Sequence, residues 1–214
     1  MNILGLDVSS KKSGYALFQN QNLIEYGLWE LSKEEESDWR KRIIYMAKCV
    51  ADYCDSHYID VVYIEDVPPI IQNSQTIKVL SALQGMLLAV FSLRDIEVEF
   101  IPVKTWKSKI GINLTASKEN NVCKKHFKEY YDKQSRKYLE RLKNATKAYE
   151  KKLSVDYVNQ MFGLDLVYKS ASSKNNQDDI ADAICIGASQ IFNQPHHVYN
   201  FEEIMSEICD SVTK

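Results

Sequence analysis

Three aspartates stand close together in Asn176-Gln-Asp178-Asp179-Ile-Ala-Asp182-Ala-Ile-Cys-Ile-Gly187. Read as the start of a helix, the spacing sets Asp182 three residues after Asp179 and four after Asp178. The carboxylates then share one face, while Ile180, Ala183, Ile184 and Gly187 turn toward packing. Capping and the helix dipole favour acids in a first turn, which accounts for one or two of these aspartates but not for three. Two more carboxylates close apolar runs: Asp7 after Asn2-Ile-Leu-Gly-Leu, and Glu65 after Val61-Val-Tyr-Ile. A charge at the end of a buried strand is costly unless a counter-charge meets it. Four carboxylates in one pocket need cations, and an all-oxygen donor set suits Mg²⁺ or Mn²⁺, which keep waters and take phosphate oxygens as further ligands. Two such ions about 4 Å apart activate a water against a phosphodiester and stabilise the leaving 3′ oxygen.

The elements that must position these residues are legible in outline. Asn2 to Ser9, Gly14 to Phe18 and Leu23 to Leu31 read as three antiparallel strands joined by the polar turns Ser9–Ser13 and Asn20–Asn22. Ser32 with Glu35 resembles a capping box, and Trp39, Ile43, Ala47, Val50 and Cys54 recur at helical spacing after it. Ile59 to Glu65 is a β-branched central strand stopped by Pro68-Pro69. Gln75 to Leu93 is a second helix in which Gly85 permits a close neighbour. Glu97 to Pro102 is a fifth strand, and Val103 to Gly111 a short basic helix closed by its glycine. Thr115 to Lys152 reads as long, helical and basic, Val155 to Leu164 as a separate amphipathic helix, and Lys169 to Gln177 as a polar loop. If the first and fourth strands are parallel neighbours, Asp7 and Glu65 converge with Asp179 and Asp182. Asp66 alternates to the other face and is assigned to the surface.

The 214 residues, 45% of them hydrophobic, suffice for one globular core. Five cysteines without a Cys-x-x-Cys pair predict a reducing compartment, and no apolar run of membrane-spanning length is expected, so the reading is a cytoplasmic protein without a membrane partner. The net charge of −2 conceals a division: residues 103–175 hold 17 Lys and Arg against 7 Asp and Glu, the remainder 10 against 22. A basic segment beside an acidic one suits a protein that grips a polyanion with one part and holds metal with another, although a solvated lysine-rich helix has the same composition.

Taken together, Ile-Leu-Gly-Leu-Asp7-Val-Ser-Ser, Tyr-Ile-Glu65, Ser81-Ala-Leu-Gln-Gly85, Pro102-Val-Lys104 and Asp179-Ile-Ala-Asp182-Ala resemble the RuvC-type Holliday junction resolvases of the RNase H-like superfamily. The likeness covers residues 1–112 and about 151–192. It implies an α/β fold with a mixed five-stranded sheet flanked by helices. It also implies Asp7, Glu65, Asp179 and Asp182 as the catalytic metal ligands, with Asp178 a weaker candidate, Mg²⁺ or Mn²⁺ in pairs, a homodimer, and paired nicks across four-way or branched DNA. Lys104 falls at a DNA-contacting position of that family, and Lys107, Lys109, Lys151 and Lys152 fall near such positions. The chain reads as one nuclease domain over 1–192, with a basic helical insertion at about 113–150 and a tail at 193–214. The insertion and the extra Asp178 resemble bacteriophage resolvases. Within the insertion Lys124, Lys125 and Lys128, interleaved with tyrosines, are the expected phosphate grip.

Two other classes compete. The run Gly5-Leu-Asp7-Val-Ser-Ser10 also resembles the first phosphate loop of actin- and hexokinase-like ATPases, but the seven glycines form no second phosphate loop. A non-catalytic junction-binding protein would need only the basic segment. For the dimer, the helix bearing Leu80, Leu83, Leu87 and Phe91 is the candidate interface, unless these residues cover their own sheet.

Overall fold

Alternation along Asn2–Asp7 (β1) turns Leu4 and Leu6 into one buried cluster and leaves Ile3, Gly5 and Asp7 on the opposite face. In the computed structural model, which describes residues 1–67, 73–113, 136–192 and 201–213, the same alternation recurs in β2 (Lys12–Gln19), β3 (Asn22–Glu30), β4 (Val61–Glu65) and β5 (Glu97–Ile101). The sheet order is β3-β2-β1-β4-β5. β1 pairs antiparallel with β2, and β2 with β3; β4 runs parallel to both β1 and β5. The expected parallel pairing of the first and fourth strands is present. Asn20 and Gln21, at φ 49° and 74°, join β2 to β3 through the two-residue turn whose twist matches a hairpin. The strand stop expected at Pro68-Pro69 lies outside the described residues.

Helices α1 (Trp39–Ser56) and α2 (Ser74–Ser92) cover the Leu4/Leu6 face with Val62, Ile64, Met46, Val50, Leu83, Leu87 and Phe91 in one core. The start of α1 corrects the sequence reading. Ser32 and Glu35 do exchange the two bonds of a capping box, at 2.8 and 3.2 Å, but they close only a turn; the helix begins at Trp39, capped by Asp38. Leu83, Leu87 and Phe91 are fully buried in this chain's own core, so they cover their own sheet and do not form an interface. A single charge, Lys78, lies in α2, and by length and composition alone this helix is able to cross a membrane, where the sequence reading expected no such segment.

The other face of the sheet receives α5 (Asp178–Ile191), which closes the core. Ile180 through Ser189 are buried without interruption. A Cβ on Gly5 would stand 2.9 Å from the amide of Gly187, and one on Gly14 would stand 2.6 Å from the carbonyl carbon of Asp179. The absence of side chains at these two positions lets helix backbone lie directly on strand backbone.

Contacts divide the chain into two units, Met1–Trp106 with Asp179–Asn193, and Lys107–Asp178 with Gln194–Lys214, with the boundary inside α3 (Val103–Lys109). In the second unit α4 (Arg136–Phe162) is one continuous helix where two were expected. No Gly or Pro interrupts it, Ser154 bonds back to the Glu150 carbonyl at 3.3 Å without breaking it, and Gly163 at φ 66° ends it. The 164–177 segment is pinned by side chains standing in for backbone: Asn159 exchanges bonds of 2.8 and 2.9 Å with Leu166, and Gln177 and Asn176 accept from the amides of Val167 and Lys169. A helix, α6 (Phe201–Thr213), occupies the tail that showed little pattern; Ile204 and Ile208 are buried, and Glu207 accepts from the Tyr149 hydroxyl.

Candidate active site

Because Leu6 is in register with Ile64, the next residues on the two strands are Asp7 and Glu65, at the C-terminal ends of parallel neighbours. Val62 and Ile64 face the α1–α2 core, so alternation turns Glu65, like Asp7, toward the face that α5 covers. Asp7 is also opposite Gly14 on β2, the glycine against which the backbone of Asp179 rests. The strand ends and the first turn of α5 therefore meet, with Asp179 partly exposed and Asp182, one turn further in, buried.

Each carboxylate is held by its surroundings. Oε2 of Glu65 accepts from Nε1–H of Trp106 at 3.0 Å, its main-chain carbonyl accepts from Gln84 at 3.0 Å, and the following amide, Asp66, donates to Ile101. Trp106 is fully buried, so this donor is fixed by packing rather than by solvent. Asp179 lies 3.1 Å from the ammonium of Lys12. Asp178 points elsewhere: it is buried and ion-paired with Lys151, beside Tyr168, whose phenol is raised above its usual range by burial first and by the Asp178 charge second. Among the described residues, no three His, Cys, Asp or Glu side chains stand close enough to hold a metal ion. The donors at the strand ends nevertheless fit a hard divalent cation in kind, being carboxylates only, while Asp179 and Glu65 are engaged with Lys12 and Trp106.

No family profile matches the sequence and no curated protein does. Among solved structures, RuvC from Thermus thermophilus in complex with Holliday junction substrate superposes with a TM-score of 0.56 at 12% identity, covering 89% of this chain and 92% of that one. The fold is that of RuvC. A second Thermus thermophilus RuvC structure agrees, at TM-score 0.54 and 15% identity over 96% of this chain and 97% of the other. The mixed five-stranded order with helices on both faces is thus the RuvC arrangement that the resemblance implied.

The lysines expected on DNA are dispersed on this RuvC fold. Lys104 and Lys109 are exposed on α3. Lys107 is mostly buried and paired with Glu150 at 2.9 Å; Lys151 pairs with Asp178 and Lys152 with Asp156. Lys124, Lys125 and Lys128 lie outside the described residues. Two residues at the site escape the sequence reading. Lys12 passes for part of a polar turn, although its even spacing from Gly14 in an alternating strand already sets it on the α5 side. Trp106 passes for one residue of a basic helix; its signal is an indole N–H one turn past a strand end, which needs a partner once buried.

Proposed function

We propose that the chain is a divalent-metal-dependent endonuclease that resolves Holliday junctions, and other branched DNA, by paired phosphodiester hydrolysis. One observation carries this reading. Asp7 and Glu65 end parallel neighbours β1 and β4 beside the first turn of α5, on a fold shared with a RuvC solved together with Holliday junction substrate. Asp7, Glu65, Asp179 and Asp182 would hold Mg²⁺, or Mn²⁺ in its stead, two ions to a site. Bound there, such ions supply an activated water and stabilise charge on the phosphoryl and leaving oxygens. The chain's own part is positional. Trp106 orients Glu65, Gly14 lets Asp179 approach Asp7, and the exposed Lys104 and Lys109 offer cations to backbone phosphates.

The working unit in this reading is a two-fold dimer, because a four-way junction has two-fold symmetry and resolution needs two opposed nicks. Support comes from the outward face of α2: Gly85 has open space around it, and Leu88 and the adjoining Leu93 are 46% and 84% exposed. A reducing cytoplasm, that of a bacterial host for a phage-borne enzyme, suits cysteines held outside disulfides, as Cys49, Cys54 and Cys185 are, and burial pushes the Cys54 thiol up to about 11.

The test is a nicking assay with Mg²⁺ on a four-way junction, an RNA–DNA hybrid and a linear duplex. Symmetric nicks in the junction are expected, lost in Asp7→Asn and in Glu65→Gln while both variants still bind the junction in Ca²⁺. Cleavage retained by either variant removes that residue from the site, and preference for the hybrid removes the junction as substrate.

A further inference from the structure

Lys12 opens β2 and alternates with Gly14, Ala16 and Phe18, so it belongs to the sheet face covered by α5. Its backbone is bracketed by Ser9, whose hydroxyl donates to the Lys12 carbonyl at 2.7 Å and accepts from the Lys12 amide at 3.1 Å. Ser13 closes the same loop from the other side, accepting from the Ser9 amide and donating to the Ser9 carbonyl. The ammonium is thereby carried on a fixed base to within 3.1 Å of Oδ2 of Asp179, each side chain of the pair being 24% exposed. This ion pair stands at the first turn of α5, beside the β2 position that faces Asp7.

A lysine is an unexpected neighbour for a site meant to hold divalent cations. Ammonium and metal repel each other, and one carboxylate oxygen cannot serve both at full strength. Without metal, however, partly buried carboxylates repel one another and need a counter-charge to keep the helix seated on the strand. We propose that Lys12 is that internal counter-cation: it holds Asp179 while no divalent ion is bound, and must release it before an ion takes the carboxylate. Metal loading is then an exchange of one cation for another on Asp179, in which the lysine lowers metal affinity and stabilises the metal-free chain. The inference rests on the metal-dependent reading above and adds a positioning and regulatory residue to the same site.

The experiment is a Mn²⁺ titration of the full chain without DNA, following free Mn²⁺ by electron paramagnetic resonance. Lys12→Gln and Lys12→Met, the latter keeping the apolar stem, are expected to bind Mn²⁺ roughly three- to tenfold more tightly than the parent, the range set by a largely buried ion pair plus relief of repulsion. Both are expected to melt at lower temperature than the parent in chelator, with far-UV circular dichroism confirming folding. Lys12→Arg keeps the charge and is expected to stay near the parent affinity. In an Asp179→Asn background the Lys12 substitutions should change the melting temperature less than they do in the parent, because this ion pair is gone. Mn²⁺ binding by the parent with unchanged or weaker binding by both neutral variants overturns the role of Lys12 and leaves the metal site standing. Absence of saturable Mn²⁺ binding by the parent overturns the metal-dependent reading itself, and this inference with it.

Discussion

Replacing Gly14 with alanine is the sharpest probe of how the site is assembled. The added methyl would lie 2.6 Å from the Asp179 carbonyl carbon and 3.1 Å from the Ile180 amide nitrogen, and the obstacle is main chain, which no rotamer change can clear. Carbon atoms pack comfortably at about 3.5–4.0 Å, so the start of α5 must withdraw from β2 by roughly 1 Å. Overpacking of this kind costs about 1–3 kcal/mol. For a chain of this size each kcal/mol lowers Tm by roughly 2–4 °C. The same displacement moves Asp179 and Asp182 relative to Asp7, and a misplacement of about 1 Å in a reacting array costs on the order of 100-fold in rate. We therefore expect Gly14→Ala to lower Tm by several degrees and to reduce single-turnover junction nicking about 100-fold at saturating enzyme, with junction affinity in Ca²⁺ little changed. Tm would be read by circular dichroism and nicking by denaturing gel. A variant with parental Tm and parental nicking would refute the claim that α5 rests on this glycine.

Trp106→Phe removes the indole N–H from Glu65 while keeping most of the buried ring, and should cost about 1–2 kcal/mol in denaturant unfolding and slow nicking without weakening junction binding. Asp178→Asn breaks the pair with Lys151, which should lower stability by roughly 1–3 kcal/mol yet damage nicking less than Asp179→Asn; the opposite order of damage would make Asp178 the ligand. Changing Lys124, Lys125 and Lys128 together to alanine should weaken junction and duplex binding alike and flatten the plot of log K against log salt by up to about three units, and an unaltered slope would show that these lysines touch no phosphate. Sedimentation should give a dimer at micromolar concentration that Leu88→Glu converts to monomer, and a parental monomer with and without junction DNA would remove the second copy from the account.

The sheet was readable because its signals are local. β-branched runs, turn residues and period-2 alternation mark all five strands, and the convergence of Asp7 with Glu65 needed only the parallel pairing of β1 with β4. What pattern could not supply was competition between adjacent solutions. The Ser32/Glu35 box satisfies every local criterion of a helix start, yet Asp38, six residues after Ser32, caps the helix, because apolar periodicity begins only at Trp39. Asp178 and Asp179 are neighbours of like chemistry on one helix turn, and their division depends on which lysine each meets, Lys151 or Lys12, a fact of tertiary packing. Charge counting likewise treats every lysine alike, whereas Lys107 is consumed by Glu150 inside the molecule.

The seating of α5 on Gly5 and Gly14 also sets a schedule. During synthesis β1, β2 and β3 emerge first and can pair at once through their short turns, but the helix that supplies Asp179 and Asp182 follows more than 160 residues after Gly14. Long-range closure of this kind is slow compared with hairpin formation, since loop entropy must be overcome before the contact exists. Until that helix has left the ribosome, the nascent chain carries Asp7 and Glu65 without their partners. On the proposed function the four carboxylates come together only after that helix has emerged, so an interrupted translation product that retains the sheet would lack Asp179 and Asp182 and is expected not to nick DNA.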